Sequence, residues 1–253
     1  MEVICLMQKF NMSFAYLPKL KFEISILRDV ETFFCFLHDA EYDNGESMKM
    51  ATLKPYPELS VWFDGVKFVA TRKNVKDFVQ AVYDKNADLI KKNLIIYERN
   101  WKQVRGSYVK LIKILFPNTD WPDGEYIVYP TIWGMYPRFL DNCTFQVPFK
   151  HKKMEYVSVV IAHELLHFIW YANAYASFPD LKNADDFYVW NISEIFNSLV
   201  QNSSSWVEVF GMESMIYPMH ELIIKKIENN LSDISLLNAD EITKEIIITF
   251  DAQ

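Results

Sequence analysis

The chain is short of the features by which several large classes of protein are recognised. Its three cysteines, Cys5, Cys35 and Cys143, are too few and too far apart for a disulfide framework, and their odd number fits a reducing compartment where each thiol packs as a small hydrophobe. Basic charge is scarce: 26 Lys and Arg against 33 Asp and Glu leave a formal charge of -7, which gives no footprint for nucleic acid or an anionic membrane surface. The opening Met1-Glu2-Val3-Ile4-Cys5 has an early acid and no basic stretch, and Lys9 and Asn11 interrupt any apolar run, so no secretory signal is expected. No segment reaches the roughly 20 apolar residues of a membrane span. Internal repeats, long linkers and low-complexity tracts are also lacking. These absences predict a soluble, cytoplasmic protein without nucleic-acid or membrane partners.

What is abundant is apolar residues, 51% of 253, enough for a substantial core in one large domain or two closely packed subdomains. Residues 1–72 read as a mixed region: Lys19 to Leu27 alternates as a strand does, Val30 to His38 suits a short helix, and Asp43-Asn44-Gly45 marks a turn. Asp64-Gly65 between Leu59–Phe63 and Val66–Val69 predicts a β-hairpin. Asn74 is placed to cap a helix whose stripe is Val75, Phe78, Val79, Val82 and Tyr83. A second helix runs from Asp88 to Phe116, where Pro117 ends it. Its spacings of four and three suit a coiled coil, but Gly106 and the extra apolar Ile95, Ile96 and Val109 favour packing on a sheet or other helices.

Glu125–Trp133 and Cys143–Phe149 are rich in β-branched and aromatic residues and read as strands. Pro148 predicts an edge position for the second, where an extended peptide can add itself. Beyond Phe178-Pro179-Asp180, Asn183 is expected to cap a helix reaching about Gln201, with Asp185 and Asp186 in its first turn. Its apolar face is Tyr188, Ile192, Ile195, Phe196 and Leu199, and a polar stripe carries Asn191, Glu194, Asn197, Ser198 and Gln201. Tyr217-Pro218 opens a further helix, and Ile242 to Phe250 suits helix or strand about equally.

The centre of the chain is His163-Glu164-Leu165-Leu166-His167, inside the apolar run Tyr156 to Tyr171. Residues four apart stand above one another on a helix, so two imidazoles converge on one point where a zinc ion finds ligands, and Glu164, rotated about 100° around the helix, reaches a water there. This is the H-E-x-x-H arrangement of zinc metallopeptidases. Charged and polar groups on so apolar a helix are costly unless paired or metal-bound. A third ligand is required from His, Asp, Glu or Cys. Trp170 and Asn173 stand where a metzincin has Gly and a third His, which excludes that class. Asp180 and Glu208 are possible third ligands. Cys143 invites a peptide-deformylase reading, but Asp141-Asn142-Cys143-Thr144 lacks the motif of that family.

Over roughly residues 90–220 the order of elements resembles the gluzincins, the thermolysin-like metallopeptidases: a long backing helix, strands, the H-E-x-x-H helix, then Ser193-Glu194-Ile195-Phe196-Asn197-Ser198 on the next helix. The thermolysin-like version reads N-E-x-x-S-D, so Ser193 replaces Asn, Asn197 replaces Ser, and Ser198 replaces the Asp that orients a ligand histidine. The resemblance implies Glu194 as third zinc ligand, Glu164 as general base, and Tyr217 or His220 as donor to the oxyanion. It also implies an α+β, helix-rich fold: a zincin-like core with a small mixed sheet and a mainly helical C-terminal subdomain. The domains expected are 1–72 and 73–253, the latter split into 73–176 and 177–253. The expected activity is zinc-dependent hydrolysis of a peptide or protein substrate. The alternatives are a zincin-like binding or regulatory protein without turnover and a zinc hydrolase of a non-peptide amide.

Overall fold

The computed structural model describes residues 17–37, 48–65, 67–231 and 233–252. His38, the Asp43-Asn44-Gly45 turn, Cys5 and the N-terminal residues read for a signal lie outside them. Elements are numbered in chain order: β1 Leu20–Phe22, α1 Ile26–Phe36, α2 Met48–Leu53, β2 Phe63–Asp64, β3 Lys67–Phe68, α3 Arg72–Lys85, α4 Ala87–Leu115, β4 Tyr126–Thr131, β5 Arg138–Phe139 and β6 Thr144–Pro148. Then come α5 Tyr156–Ser177, α6 Asp186–Gln201, α7 Ser204–Phe210, α8 Glu221–Asn230 and α9 Ala239–Asp251. The architecture is helix-rich α+β, and no helix among the described residues is long and apolar enough to cross a membrane.

A four-stranded mixed sheet has the order β1-β4-β6-β5, with β1, β4 and β6 parallel and β5 antiparallel. Every residue of β6 is buried, because the strand is flanked on both sides and covered by α5. This corrects the edge position expected from Pro148: the edges are β1 and the two-residue β5, which pairs Arg138 with Phe145 and Phe139 with Thr144. Proline is tolerated there because position 148, like Gln146 whose N–H donates to the Pro137 carbonyl, faces the β5 side, and β5 pairs only with Thr144 and Phe145.

The long helix expected to back the core is α4, and its stripe Ile90, Leu94, Tyr97, Trp101, Tyr108, Ile112 and Leu115 is buried against α5 and α7. Between α4 and the later helices, α5 is buried from Val157 to Trp170 with His163 alone part-exposed, so its apolar residues run all the way round and no stripe faces solvent. α6 and α9 pack on its other side. Trp170, wholly buried, donates its indole N–H to Thr243 Oγ1 at 3.0 Å, a bond between α5 and α9. Leu17, Val30, Phe33 and Trp62 belong to the same buried cluster as Val157, Phe196 and Ile246, so residues on both sides of position 72 pack together.

Several boundaries move. Lys19 to Leu27 is strand only as far as Phe22, since the Ser25 hydroxyl accepts from Arg28 N and starts α1 early. The hairpin is shorter than expected: Pro57–Trp62 forms a 3-10 turn, and Asp64 pairs with Lys67 and so belongs to the strand, with Gly65 in the left-handed region. Thr71, three residues before Asn74, caps α3, and Asn74 returns the bond to the Thr71 N–H in a reciprocal box. Likewise Asp185, not Asn183, caps α6 by accepting from the N–H groups of Phe187 and Tyr188. The segment 242–250 is helical, started by the Asn238–Glu241 capping box.

Candidate metal centre

On α5, one turn apart, His163 and His167 meet edge to face with ring centres 4.7 Å apart and Nε2 atoms at 3.0 Å. The packing of α6 on α5 brings Glu194 to them: Oε2 lies 3.3 Å from His163 Nε2, and Oε1 lies 3.3 Å from His167 Nε2. Glu194 thus meets the two imidazoles through different oxygens. Among the described residues, this is the group of His, Cys, Asp or Glu side chains whose donor atoms converge, all within 4.8 Å. The polar stripe on α6 therefore faces not water but α5, and Asn191, Glu194, Asn197, Ser198 and Gln201 are all buried.

The surrounding bonds determine how each ligand is presented. Gln201 donates from Nε2 to the Val159 carbonyl at 3.3 Å, which turns its Oε1 toward His163 Nδ1 at 2.7 Å. An acceptor there keeps a proton on Nδ1, so neutral His163 directs its Nε2 lone pair at Glu194 and His167. The Asn197 amide donates to the His163 carbonyl at 3.1 Å and steadies the same turn. Arg138, on β5, donates to Glu194 Oε1 at 3.0 Å and to Ser193 Oγ at 3.4 Å, while its guanidinium lies 5.8 Å from the Tyr171 ring centre. Glu194 and Arg138 are 2% and 13% exposed, so this pair is formed away from water. Three buried atoms at the centre make no hydrogen bond: Glu164 Oε2, His167 Nδ1 and Glu194 Oε2.

The charges follow from burial and from Arg138. Burial alone pushes the Glu194 carboxyl up, but the Arg138 guanidinium and bonds from the two imidazoles outweigh it and hold the group well below the usual carboxylate range. Burial, reinforced by the positive charge of Arg138, lowers His167 to about 3 and keeps it neutral, as a ligand must be. For His163 burial pulls downward, yet bonding and attraction to Glu194 prevail and the group rises. Burial carries Glu164 up to about 7 against the opposing pull of His163 and Arg138.

The structure thus brings together His163, His167, Glu194 and, beside them, Glu164. Tyr217 lines cavities on both sides of His163 and Glu164. His220 lies a layer behind, buried, bonded to Asn191 Oδ1 at 2.7 Å and against the rings of Trp190 and Tyr217. Asp180 and Glu208 are exposed and stand outside the converging group, and Cys143 is turned to the Asp123 carbonyl at 3.8 Å. Two contributors were not singled out from sequence. Gln201 takes the orienting position one turn beyond Ser198, and its signal was the 194, 197, 201 spacing on a helix. Arg138 had no local signal, since a two-residue strand leaves no periodicity.

Comparison with known proteins returns no matching family model, no matching curated protein and no matching solved structure. The geometry defines a class by itself: a buried two-histidine, one-carboxylate cluster able to hold a metal ion.

Proposed function

We propose that the cluster holds zinc and that the protein is a metal-dependent hydrolase. Within that class, the reading is a peptidase cutting peptide bonds with Glu164 as general base. The observation that supports it is the joint position of Glu164 and the ligand set. His163, Glu164 and Glu194 share the wall of a cavity of about 810 Å³, within the roughly 300–1,000 Å³ typical of ligand sites. A nitrogen, nitrogen, oxygen donor set suits zinc and leaves the fourth position for water or substrate.

When bound, zinc supplies Lewis acidity to a carbonyl and acidifies water. The chain supplies the rest. His163 is oriented by Gln201, and Glu194 is clamped by Arg138, so two of the three donors are fixed before substrate arrives. Glu164, with Oε2 free of hydrogen bonds, takes the proton of the attacking water and passes it to the leaving amine. Tyr217, in the wall beside Glu164, is the candidate donor to the carbonyl oxygen as it gains charge.

Glu164→Gln keeps size and hydrogen bonding but cannot accept the proton. Zinc content should stay at parent level while turnover falls by about 10²–10⁴-fold, the contribution of a positioned general base. Metal analysis and mass spectrometry of products from a mixed peptide library test this. Equal rates exclude Glu164 as base, and zinc without cleavage by either protein favours a zinc-binding regulatory protein.

A further inference from the structure

Two cavities of unequal size meet at Glu164. Both are lined by Met135, Tyr136, His163, Glu164 and Tyr217. From that shared wall the larger, about 810 Å³, extends along the C-terminal half of α5 past Tyr171 and Tyr175. The smaller, about 150 Å³, extends along the N-terminal half past Tyr156, Val159 and Val160, and is also lined by Gly134, Ser214 and Met215. Any chain lying across Glu164 therefore has a roomy compartment on one side and a cramped one on the other.

Much of the wall of the large cavity is aromatic and preassembled. Phe187 and Trp190 stack with ring centres 5.4 Å apart at 13°, and Tyr217 closes on Trp190 at 5.5 Å. Tyr171 and Tyr175 meet edge to face at 5.6 Å across from them on α5. Such rings are costly to leave at a surface unless something apolar covers them, and Phe187 is 60% exposed at the mouth. Among the described residues, the Arg or Lys in the lining is Arg138, already committed to Glu194.

We propose that the large cavity is a subsite for a bulky aromatic or aliphatic side chain of a peptide, and that the small cavity admits only a small side chain on the other side of the bond being cut. This rests on the peptidase reading for the position of the bond, while the preference itself is a binding property. The rival occupant is a basic side chain drawn to Asp186 at the rim, and the test includes it.

The experiment uses zinc-loaded Glu164→Gln protein, so that binding is read without turnover, and titrates it calorimetrically with capped peptides in a Ser/Gly background. Ala-Phe-Ala should bind at least tenfold more tightly than Ala-Ala-Ala or Ala-Lys-Ala, and Phe-Phe-Phe should bind more weakly than Ala-Phe-Ala. Phe187→Ala, at an exposed position that folding tolerates, and Trp190→Ala should each erase most of the Phe advantage and leave Ala-Ala-Ala unchanged. Equal affinities, a Lys preference, or an advantage untouched by Phe187→Ala overturns the proposal. The parent, run on a peptide library, separates the two readings. Cleavage at sites with no bulky residue sinks the subsite and keeps the peptidase. The Phe preference without cleavage keeps the subsite and sinks the peptidase.

Discussion

Asp29 in α1 and Glu194 in α6 are both carboxylates removed from water, and their surroundings differ in kind. Asp29 meets neutral donors only: Ile132 N–H at 3.0 Å and Gln146 Nε2 at 2.7 Å, with Tyr83 Oη 3.0 Å away. The Tyr83 oxygen also lies 2.7 Å from the Pro130 carbonyl, and one hydroxyl proton cannot serve both. The ionised acid accepts from Tyr83; once protonated it can donate to Tyr83 instead and leave the Tyr83 proton to Pro130. Burial accordingly carries Asp29 up to about 6. Glu194 sits instead among Arg138, His163 and His167 and stays ionised, in a cluster where Glu194 Oε2, Glu164 Oε2 and His167 Nδ1 are left unbonded. The structural acid is pushed toward the neutral form with its bonds closed; the acid in the candidate site is held in the charged form between two imidazoles. That contrast separates a cluster able to hold a metal ion from a structural one more sharply than burial, which is the same for both.

The largest expected effect would break the contrast from one side. His163→Ala or His167→Ala should abolish binding of about one zinc per chain, and Glu194→Ala should weaken it severely, while Asp29→Asn leaves it intact. Metal titration decides, and full occupancy in both histidine variants would remove the centre. From the other side, Asp29 should mark the stability curve. The folded chain holds its proton up to about pH 6, whereas the unfolded chain releases it near the ordinary value of 3.8. The group's stabilisation is thus complete below about pH 3.8 and is lost as pH rises to about 6, a fall of about 3 kcal/mol. Asp29→Asn, with the Gln146 amide turned over, should remove that segment of the curve in denaturant unfolding between pH 4 and 6.5. Unchanged slopes would show Asp29 to be ionised throughout.

A smaller effect sharpens the reading of the centre itself. Gln201→Leu removes the acceptor on His163 Nδ1, and zinc affinity should drop by about 10–100-fold, as when other such outer partners are lost. Smallest is Asp185→Ala, which costs α6 its cap, about 1 kcal/mol in thermal unfolding, and like Asp180→Ala and Glu208→Ala should leave zinc affinity at the parent value.

How much of this could be read from the chain depends on whether the cause was local. The H-E-x-x-H helix and α4 were visible because their spacing is a property of one segment. Glu194 was reached by resemblance in motif order, and the stripe around it was legible as polar, yet a face turned to a metal cluster and one turned to water have the same periodicity. Asn74 and Asn183 were misjudged as caps because Thr71 and Asp185 compete for the same role within three residues. Arg138 and the inner position of β6 come from strand pairing across the fold, which no window of sequence contains.

The bond between Trp170 and Thr243 also carries a consequence in time. It joins α5 to α9 across 73 residues, and α9 packs on both α5 and α6. During synthesis, at about 5–20 residues per second, His163 and His167 emerge roughly 4–15 s before the helix that completes their support. A stalled chain ending before residue 239 thus lacks this packing on α5 and should be open to limited proteolysis within α5.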